Sequence, residues 1–230
     1  MRRLLPPRAL LLLLLLPLLT ACNSDQVEHL SNTKELAVEA ANWEVKRIMP
    51  ADLLRATAWA GDSLTRTAER ELRQVMAQKL AEGGVAAALP FCHPEQLPRT
   101  DSLARVLKAT LSRASNRPRN PSNQATLSAY ALNPADTTRL VARPSQEVFT
   151  YQRPLVLSDQ LCLRCHGVVG QDIAAADYAL IKQKYPRDQA TGYQLGQPMG
   201  VWRARLERNG IAEFWTMKTR KVMKKRKPLF

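Results

Sequence analysis

The chain has 230 residues, of which 45% are apolar and 23% are charged, and its formal net charge is +14. This length and composition predict one globular domain with a hydrophobic core and exclude a chain that is disordered throughout. Arg2, Arg3 and Arg8 lie in a segment that we expect to be removed, so the mature chain keeps 14 − 3 = +11.

The N-terminus has the pattern of a lipoprotein signal peptide. Arg2 and Arg3 precede a leucine run at residues 10–16, which is too short to span a bilayer comfortably. The junction LTAC, which ends at Cys22, resembles the bacterial lipobox, in which the cysteine receives the lipid. We predict a signal peptide over residues 1–21 and an exported lipoprotein, anchored to a membrane on its periplasmic or cell-surface side. An ordinary secretory signal is the alternative.

Long helices are predicted in the first half of the chain. A polar tether at residues 22–32 precedes Thr33–Ile48 and Leu53–Leu80, where apolar residues recur at helical spacing. Gly61 is a candidate break in the second helix, and Gly83-Gly84 is predicted to end it. These helices could pair two copies into a homodimer, or could pack in the core of one chain.

The second half of the chain favours strands. Strand character is found at Val141, Val148, Phe149, Tyr151, Leu155 and Val156, broken by Pro144 and Pro154. Two apolar runs, Val201–Arg208 and Ile211–Met217, flank Asn209-Gly210. Because Asn-Gly suits a type I′ turn, we predict a hairpin there. Helices followed by a small antiparallel sheet indicate the α+β class, in a single domain over residues 33–217.

The C-terminus is strongly basic. Residues 218–230 contain seven lysines and arginines and no acidic residue, which predicts a solvated tail. Such a tail could also meet anionic lipid or an acidic protein. Export excludes nucleic acid as its usual target.

The motif CLRCH, which runs from Cys162 to His166, has the pattern of c-type haem attachment. Cys162 and Cys165 can both reach the vinyl groups of one haem, and His166 can bind the iron. A thioredoxin-like redox pair would require a βαβ context, and a zinc site would require two more ligands at matched spacing. We therefore predict one covalent haem c on Cys162 and Cys165, with His166 as an iron ligand.

The second iron ligand has several candidates, which are Cys92, His93, Met199 and His29. Prolines flank Cys92 and would fix its loop, and a thiolate would lower the haem potential where a methionine would raise it. The alternative role for Cys92 is a buried, inert thiol. Arg119 and Arg117 could pair with the haem propionates, because guanidinium groups suit carboxylates, or could be solvated loop arginines.

Four sequence blocks occur in order between about Leu64 and Trp202. They are GVAAALPFC ending at Cys92, RNPSN from Arg119, CLRCHG from Cys162 and YPRDQATGY from Tyr185. Together they resemble a bacterial family of exported single-haem c-type proteins with a PAS-like fold. The resemblance implies a PAS-like antiparallel sheet with long N-terminal helices. It also implies that Cys92 and His166 are the two axial ligands.

These features favour a haem module that is not an enzyme. We expect it to sense redox state, nitric oxide or carbon monoxide and to signal to a partner protein, because no output region is expected in this chain. The alternative is a membrane-tethered electron-transfer protein whose basic tail docks an acidic redox partner. A peroxidase-like enzyme would need an open iron position and a distal acid–base residue.

Overall fold

The computed structural model describes residues 48–128, 130–133 and 139–219. The predicted signal peptide with Cys22, the tether and His29 lie outside the described residues, as do nearly all of the predicted helix Thr33–Ile48 and the basic tail from residue 220 onwards. Within the described part of the chain, no helix is both long and apolar enough to cross a membrane.

The first helix, α1, is long and spans Pro50–Ala88. It begins at Pro50 because proline suits the first position of a helix, where no N–H partner is needed. The helix continues through Gly61, so the candidate break there is wrong. A Cβ at Gly61 would lie 2.1 Å from Cγ of Tyr151, so glycine is what lets the sheet approach the helix. Gly83 and Gly84 take non-helical angles, and one further turn, Val85–Ala88, follows them.

The other helices and strands follow along the chain. They are α2 (Pro98–Val106), β1 (Ala109–Ala114), β2 (Leu140–Ala142), β3 (Val148–Val156), α3 (Leu163–His166), α4 (Ala175–Lys184), β4 (Pro198–Glu207) and α5 (Arg208–Thr219).

The strands form one antiparallel sheet, with four strands in the order β1-β4-β3-β2 among the described residues. β2 pairs only with residues 150–152 of β3, and Pro154 lies beyond that pairing, where β3 has a free edge. Proline is tolerated there, so the strand continues through it. The long N-terminal helix and the antiparallel sheet confirm the predicted α+β class.

The predicted hairpin around Asn209-Gly210 is wrong, because α5 follows β4 directly. Ile211 and Phe214 are three residues apart and both are buried, which is helical spacing. A Cβ at Gly210 would lie 2.1 Å from the carbonyl oxygen of Leu107. The glycine therefore serves close packing and not a type I′ turn. Lys218, which we assigned to the tail, lies in the last turn of α5.

Two hydrophobic clusters position the predicted site. The larger cluster packs α1 and α5 against the sheet, and its buried side chains include Leu64, Phe149 and Leu206. The second cluster joins Val85 and Leu89 to Ile173 and Ile181, with Cys165 packed against it. Burying side chains of this size contributes about 1.5–3 kcal/mol each, so this cluster fixes the end of α1 against the CLRCH segment.

Candidate functional site

The CLRCH motif forms a compact helical turn. A 3-10 turn at Gln160–Cys162 leads into α3, and the Asp159 carboxylate accepts a hydrogen bond of 3.0 Å from the Leu161 N–H. Residues three apart lie on the same side of such a turn, so Cys162 and Cys165 face the same space. Both line an apolar cavity, and with Cys92 they are free thiols in the structure.

Cys92 reaches this site from the far end of α1. It ends the 3-10 turn Leu89–Phe91, and its carbonyl oxygen accepts a hydrogen bond of 3.0 Å from Nη2 of Arg113 in β1. Pro90 and Pro94 flank it, as the sequence indicated. The fold therefore brings Cys92 and His166, which are far apart in sequence, to the same place.

Two adjoining cavities meet at the predicted site. Their volumes, which include the open space at each mouth, are about 520 and 720 Å³. The smaller cavity is apolar and is lined by Cys162 and Cys165. The larger, called the polar cavity below, has the more polar lining of the two and includes Arg113, Arg117 and Arg119. Side chains common to both are Cys92, Arg119 and His166. Apolar side chains of the smaller cavity are Leu72, Met76, Leu80, Ala88, Leu89 and Leu161.

The tautomer of His166 follows from its hydrogen bond. Nδ1 lies 2.7 Å from the carbonyl oxygen of Ala190, and since a carbonyl only accepts, Nδ1 carries the proton. Burial, and then the positive charge of Arg119, lower the pKa of His166 to about 3. The imidazole is therefore neutral at physiological pH, and its Nε2 lone pair is available for a metal.

Burial raises the pKa of the Cys162 and Cys165 thiols to about 11. A thioredoxin-like Cys-x-x-Cys pair requires the opposite, a thiol pKa lowered toward neutrality. In addition, the described residues contain no group of three or more His, Cys, Asp and Glu side chains that could hold a metal ion. The raised thiol pKa values weigh against the redox-pair alternative for this motif.

Arg119 lies at the centre of the site and is 9% exposed. Its Nε donates to Oδ1 of Asp188 at 3.2 Å, and its Nη2 donates to the carbonyl oxygens of Cys165 and, at 3.4 Å, Ala190. Its Nη1 is buried and has no hydrogen-bond partner among the described residues. A buried guanidinium N–H that lacks a partner is costly, and an anionic group in the adjoining cavity would satisfy it.

The other predicted iron ligands and Arg117 differ in whether neighbouring groups already bind them. His93 and Met199 both line the polar cavity, and Nδ1 of His93 lies 3.6 Å from Oε1 of Glu95. Arg117 also lines this cavity, but its guanidinium group donates to the Thr191 carbonyl and lies over the Tyr193 ring, 4.7 Å from the ring centroid. Arg119 is therefore better placed than Arg117 to bind an anionic group in the cavity.

Asp188 is a site residue that sequence reasoning missed. Its Oδ1 accepts hydrogen bonds from Arg119 and, at 2.9 Å, from the Ala190 N–H, and Oδ2 is buried without a hydrogen-bond partner among the described residues. Asp188 thus holds both Arg119 and the residue whose carbonyl orients His166. It lies within the YPRDQATGY block, but that block alone does not show that the carboxylate is buried.

The chain is similar to known proteins over the region that carries these residues. A family model described as Tll0287-like matches residues 55–206. Among solved structures, the chain is similar to that of the cyanobacterial heme-protein Tll0287, with 22% sequence identity and a TM-score of 0.40. The match covers 62% of this chain and 92% of that chain. No curated protein matches the chain.

Proposed function

The chain belongs to the Tll0287-like family, and from this premise we propose that it is a single-haem c-type protein. Tll0287 itself is described as a heme-protein. In our proposal Cys162 and Cys165 would attach the haem through thioether bonds, and His166 and Cys92 would hold its iron. The observation that carries it is that Cys92, from the end of α1, lines the same two cavities as His166.

The residues around these cavities fit a haem. The apolar cavity, which contains both attachment cysteines, suits the porphyrin ring, and the polar cavity suits its propionates. Arg119 would bind a propionate through Nη1, the buried N–H that lacks a partner among the described residues. Arg113 lines the same polar cavity, but its Nη2 lies 3.7 Å from Oε2 of Glu95, which lines the cavity too, so Arg119 is the better candidate.

The protein's own side chains would determine how the haem behaves. When bound, the haem supplies an iron that can change oxidation state. The Ala190 carbonyl holds the proton on Nδ1 of His166 and so increases the basicity of the ligating nitrogen. A Cys92 thiolate would stabilise ferric iron and lower the potential.

We propose sensing of redox state or of a small gas as the role of this module. Cys92 lies on a short turn after the Gly83-Gly84 interruption, in a different segment from the attachment cysteines. If Cys92 released a bound iron on reduction, Cys162, Cys165 and His166 would still hold the haem, and nitric oxide or carbon monoxide could then bind. A movement of the Cys92 turn would reach the surface through Phe91, which is exposed, and a signalling partner could detect it there.

Electron transfer is the second candidate. Val168 and Val169 follow the attachment motif and are 39% and 41% exposed, which provides an apolar surface next to the predicted haem. A redox partner could dock there. We also propose, from the sequence alone, that the protein is exported and anchored to a membrane through lipid on Cys22, and that it is not an enzyme.

Spectra of the haem-loaded protein distinguish the two roles. The oxidised and reduced absorption spectra would be recorded with and without carbon monoxide and nitric oxide, for the wild type and for Cys92→Ala. A sensor of redox state loses the thiolate spectrum on reduction. A gas sensor also binds gas in the reduced wild type, at a rate that is limited by loss of Cys92 and that Cys92→Ala increases. An electron carrier keeps both ligands and ignores both gases, while Cys92→Ala binds them. Identical oxidised spectra of the two proteins would contradict Cys92 ligation.

A further inference from the structure

The solvent-facing side of α1 carries a stripe of arginines. Arg55, Arg66 and Arg70 are all exposed and are separated by 11 and 4 residues, which is close to a whole number of helical turns. Among the described residues, none of the three forms an ion pair with an acidic side chain, whereas the neighbouring acids Asp62 and Glu69 do form ion pairs. The stripe therefore carries uncompensated positive charge.

Four acidic side chains of this part of the molecule are paired with other basic residues, whereas Asp52 accepts a hydrogen bond from the Met49 N–H. Their ion pairs are Arg139–Asp62, Arg153–Glu69, Lys108–Glu213 and Arg208–Glu147, with N···O distances of 2.6, 2.7, 2.6 and 3.7 Å. Basic charge is thus in excess on the side of the molecule that α1 and α5 form. The sequence that follows α5 is also basic, because residues 220–227 include six lysines and arginines and no acid.

Two tryptophans lie at one end of the stripe. Trp59 of α1 stacks on Trp215 of α5, with ring centroids 5.5 Å apart and an interplanar angle of 18°. The guanidinium carbon of Arg55 lies 6.0 Å from the centroid of the Trp215 ring. Trp59 is nevertheless 43% exposed, so part of a large indole ring faces solvent beside unneutralised arginines.

We propose that this basic face, formed by Arg55, Trp59, Arg66, Arg70 and Trp215, docks on an anionic lipid surface. Indole rings favour the level of the lipid headgroups, and arginines beside them are attracted to negatively charged headgroups. An acidic protein would match the arginines but gives no reason for the exposed part of the Trp59 ring. The proposal depends neither on the haem nor on lipid at Cys22, and it would place α1 along the membrane.

Co-sedimentation with vesicles tests this docking. The haem-loaded mature chain carrying Cys22→Ser, so that no lipid anchor contributes, would be mixed with vesicles of phosphatidylcholine, with or without phosphatidylglycerol. We expect binding only when phosphatidylglycerol is present, and weaker binding as salt rises. The triple variant Arg55→Ser, Arg66→Ser, Arg70→Ser should bind about 100-fold more weakly, at about fivefold for each arginine. Trp59→Ser should also weaken binding several-fold.

Two further variants separate the basic face from net charge. The control triple variant removes the same charge from exposed positions elsewhere and should retain most of the binding. It carries Arg99→Ser, Arg105→Ser and Arg205→Ser. A third triple variant tests whether the basic tail contributes to binding, and it carries Lys224→Ser, Lys225→Ser and Arg226→Ser. Circular dichroism would check that each variant is folded. Three outcomes would overturn the proposal. Both arginine triple variants could lose binding equally, the tail variant alone could lose binding, or the protein could show no preference for phosphatidylglycerol. Tight binding to polyglutamate that does not need Trp59 would instead indicate an acidic protein partner.

Discussion

At the scale of single residues, hydrogen bonds decide which atoms of the site are available. The CLRCH motif is local in sequence, so His166 could be predicted as a ligand without a structure. The Ala190 carbonyl that fixes its tautomer lies 24 residues further along and could not be predicted. The same is true of Asp188, because burial of a carboxylate depends on the tertiary fold.

The raised pKa of the Cys162 and Cys165 thiols predicts that they are alkylated slowly in the haem-free protein. Burial raises the pKa of Cys162 and Cys165 to about 11, so both remain neutral thiols at pH 8. We expect their alkylation by iodoacetamide, followed by mass spectrometry, to accelerate steadily with pH up to about 11, as long as the protein stays folded. In urea the same cysteines should react with the profile of free thiols, whose pKa is about 8.5. A plateau near pH 8 in the folded protein would contradict the burial and favour a redox-active pair.

Asp188 should support both the stability of the fold and the environment of the iron. Asp188→Asn removes the negative charge that neutralises buried Arg119, and breaking a buried ion pair in this way costs about 3–5 kcal/mol. Urea denaturation of the haem-free protein would measure this loss. In the loaded protein, the haem potential should rise because an anion near the iron is removed.

Asp177→Asn is the matched control for Asp188. Asp177 lies 3.8 Å from Arg164 of the same motif, but it is partly exposed, so its loss should change the stability by less than about 1 kcal/mol. If the two variants had equal stability and equal potentials, Asp188 would not have the role that its hydrogen bonds indicate.

At the scale of helices and strands, periodic patterns were reliable, but short-range turn signals were not. The apolar spacing of Leu53–Leu80 predicted α1, and the β-branched and aromatic residues from Val148 onwards predicted β3, although not its continuation through Pro154. Asn209-Gly210 suggested a hairpin turn, but burial of Ile211 and Phe214 at helical spacing outweighed that local preference. Gly61 was a plausible break in the helix when only the sequence was considered. The structure shows that a glycine lies there because the Tyr151 ring leaves no room for a Cβ.

Gly61→Ala tests whether close packing between α1 and β3 explains this glycine. Helix propensity alone would make the change stabilising by about 1 kcal/mol. The new Cβ would lie 2.1 Å from Cγ of Tyr151, an atom that rotation of the ring cannot move away. We therefore expect a net loss of about 1–3 kcal/mol in the free energy of unfolding, measured with urea.

Ser63→Ala, two residues along the same helix, is the control for Gly61→Ala. Alanine is the better helix former and meets no such ring, so a gain of roughly 0.5 kcal/mol is expected. Stabilisation of both variants would show that Tyr151 does not constrain α1.

At the scale of the whole molecule, the site joins segments that are distant in the sequence. The attachment motif could be recognised directly, and the ordered sequence blocks implied that Cys92 belongs with it. The division into an apolar and a polar cavity could not be foreseen, because residues from α1, β1 and several loops form their walls. The basic face of α1 and α5 also required the structure, since it depends on which acids are already paired.

Ligation by Cys92 and His166 should cross-link the fold. The two residues are 166 − 92 = 74 positions apart, and closing a loop of this length contributes about 4 kcal/mol in the chain-entropy model. Cys92→Ala should therefore lower the Tm of the haem-loaded protein by roughly 10 °C. Differential scanning calorimetry of the haem-free pair is the control, and it should show a much smaller difference. A similar change in the loaded and haem-free proteins would mean that Cys92 contributes only through packing.

The most direct test of the central claim is the absorption spectrum of the protein after denaturation. The full chain would be expressed with a working c-type maturation system, purified and unfolded in detergent, and the haem that remains attached would be quantified as its pyridine complex. We predict one haem per chain, with a spectrum typical of two thioether bonds, and loss of attached haem when both Cys162 and Cys165 are replaced by serine. A chain that matures normally and retains no haem after denaturation would contradict the account.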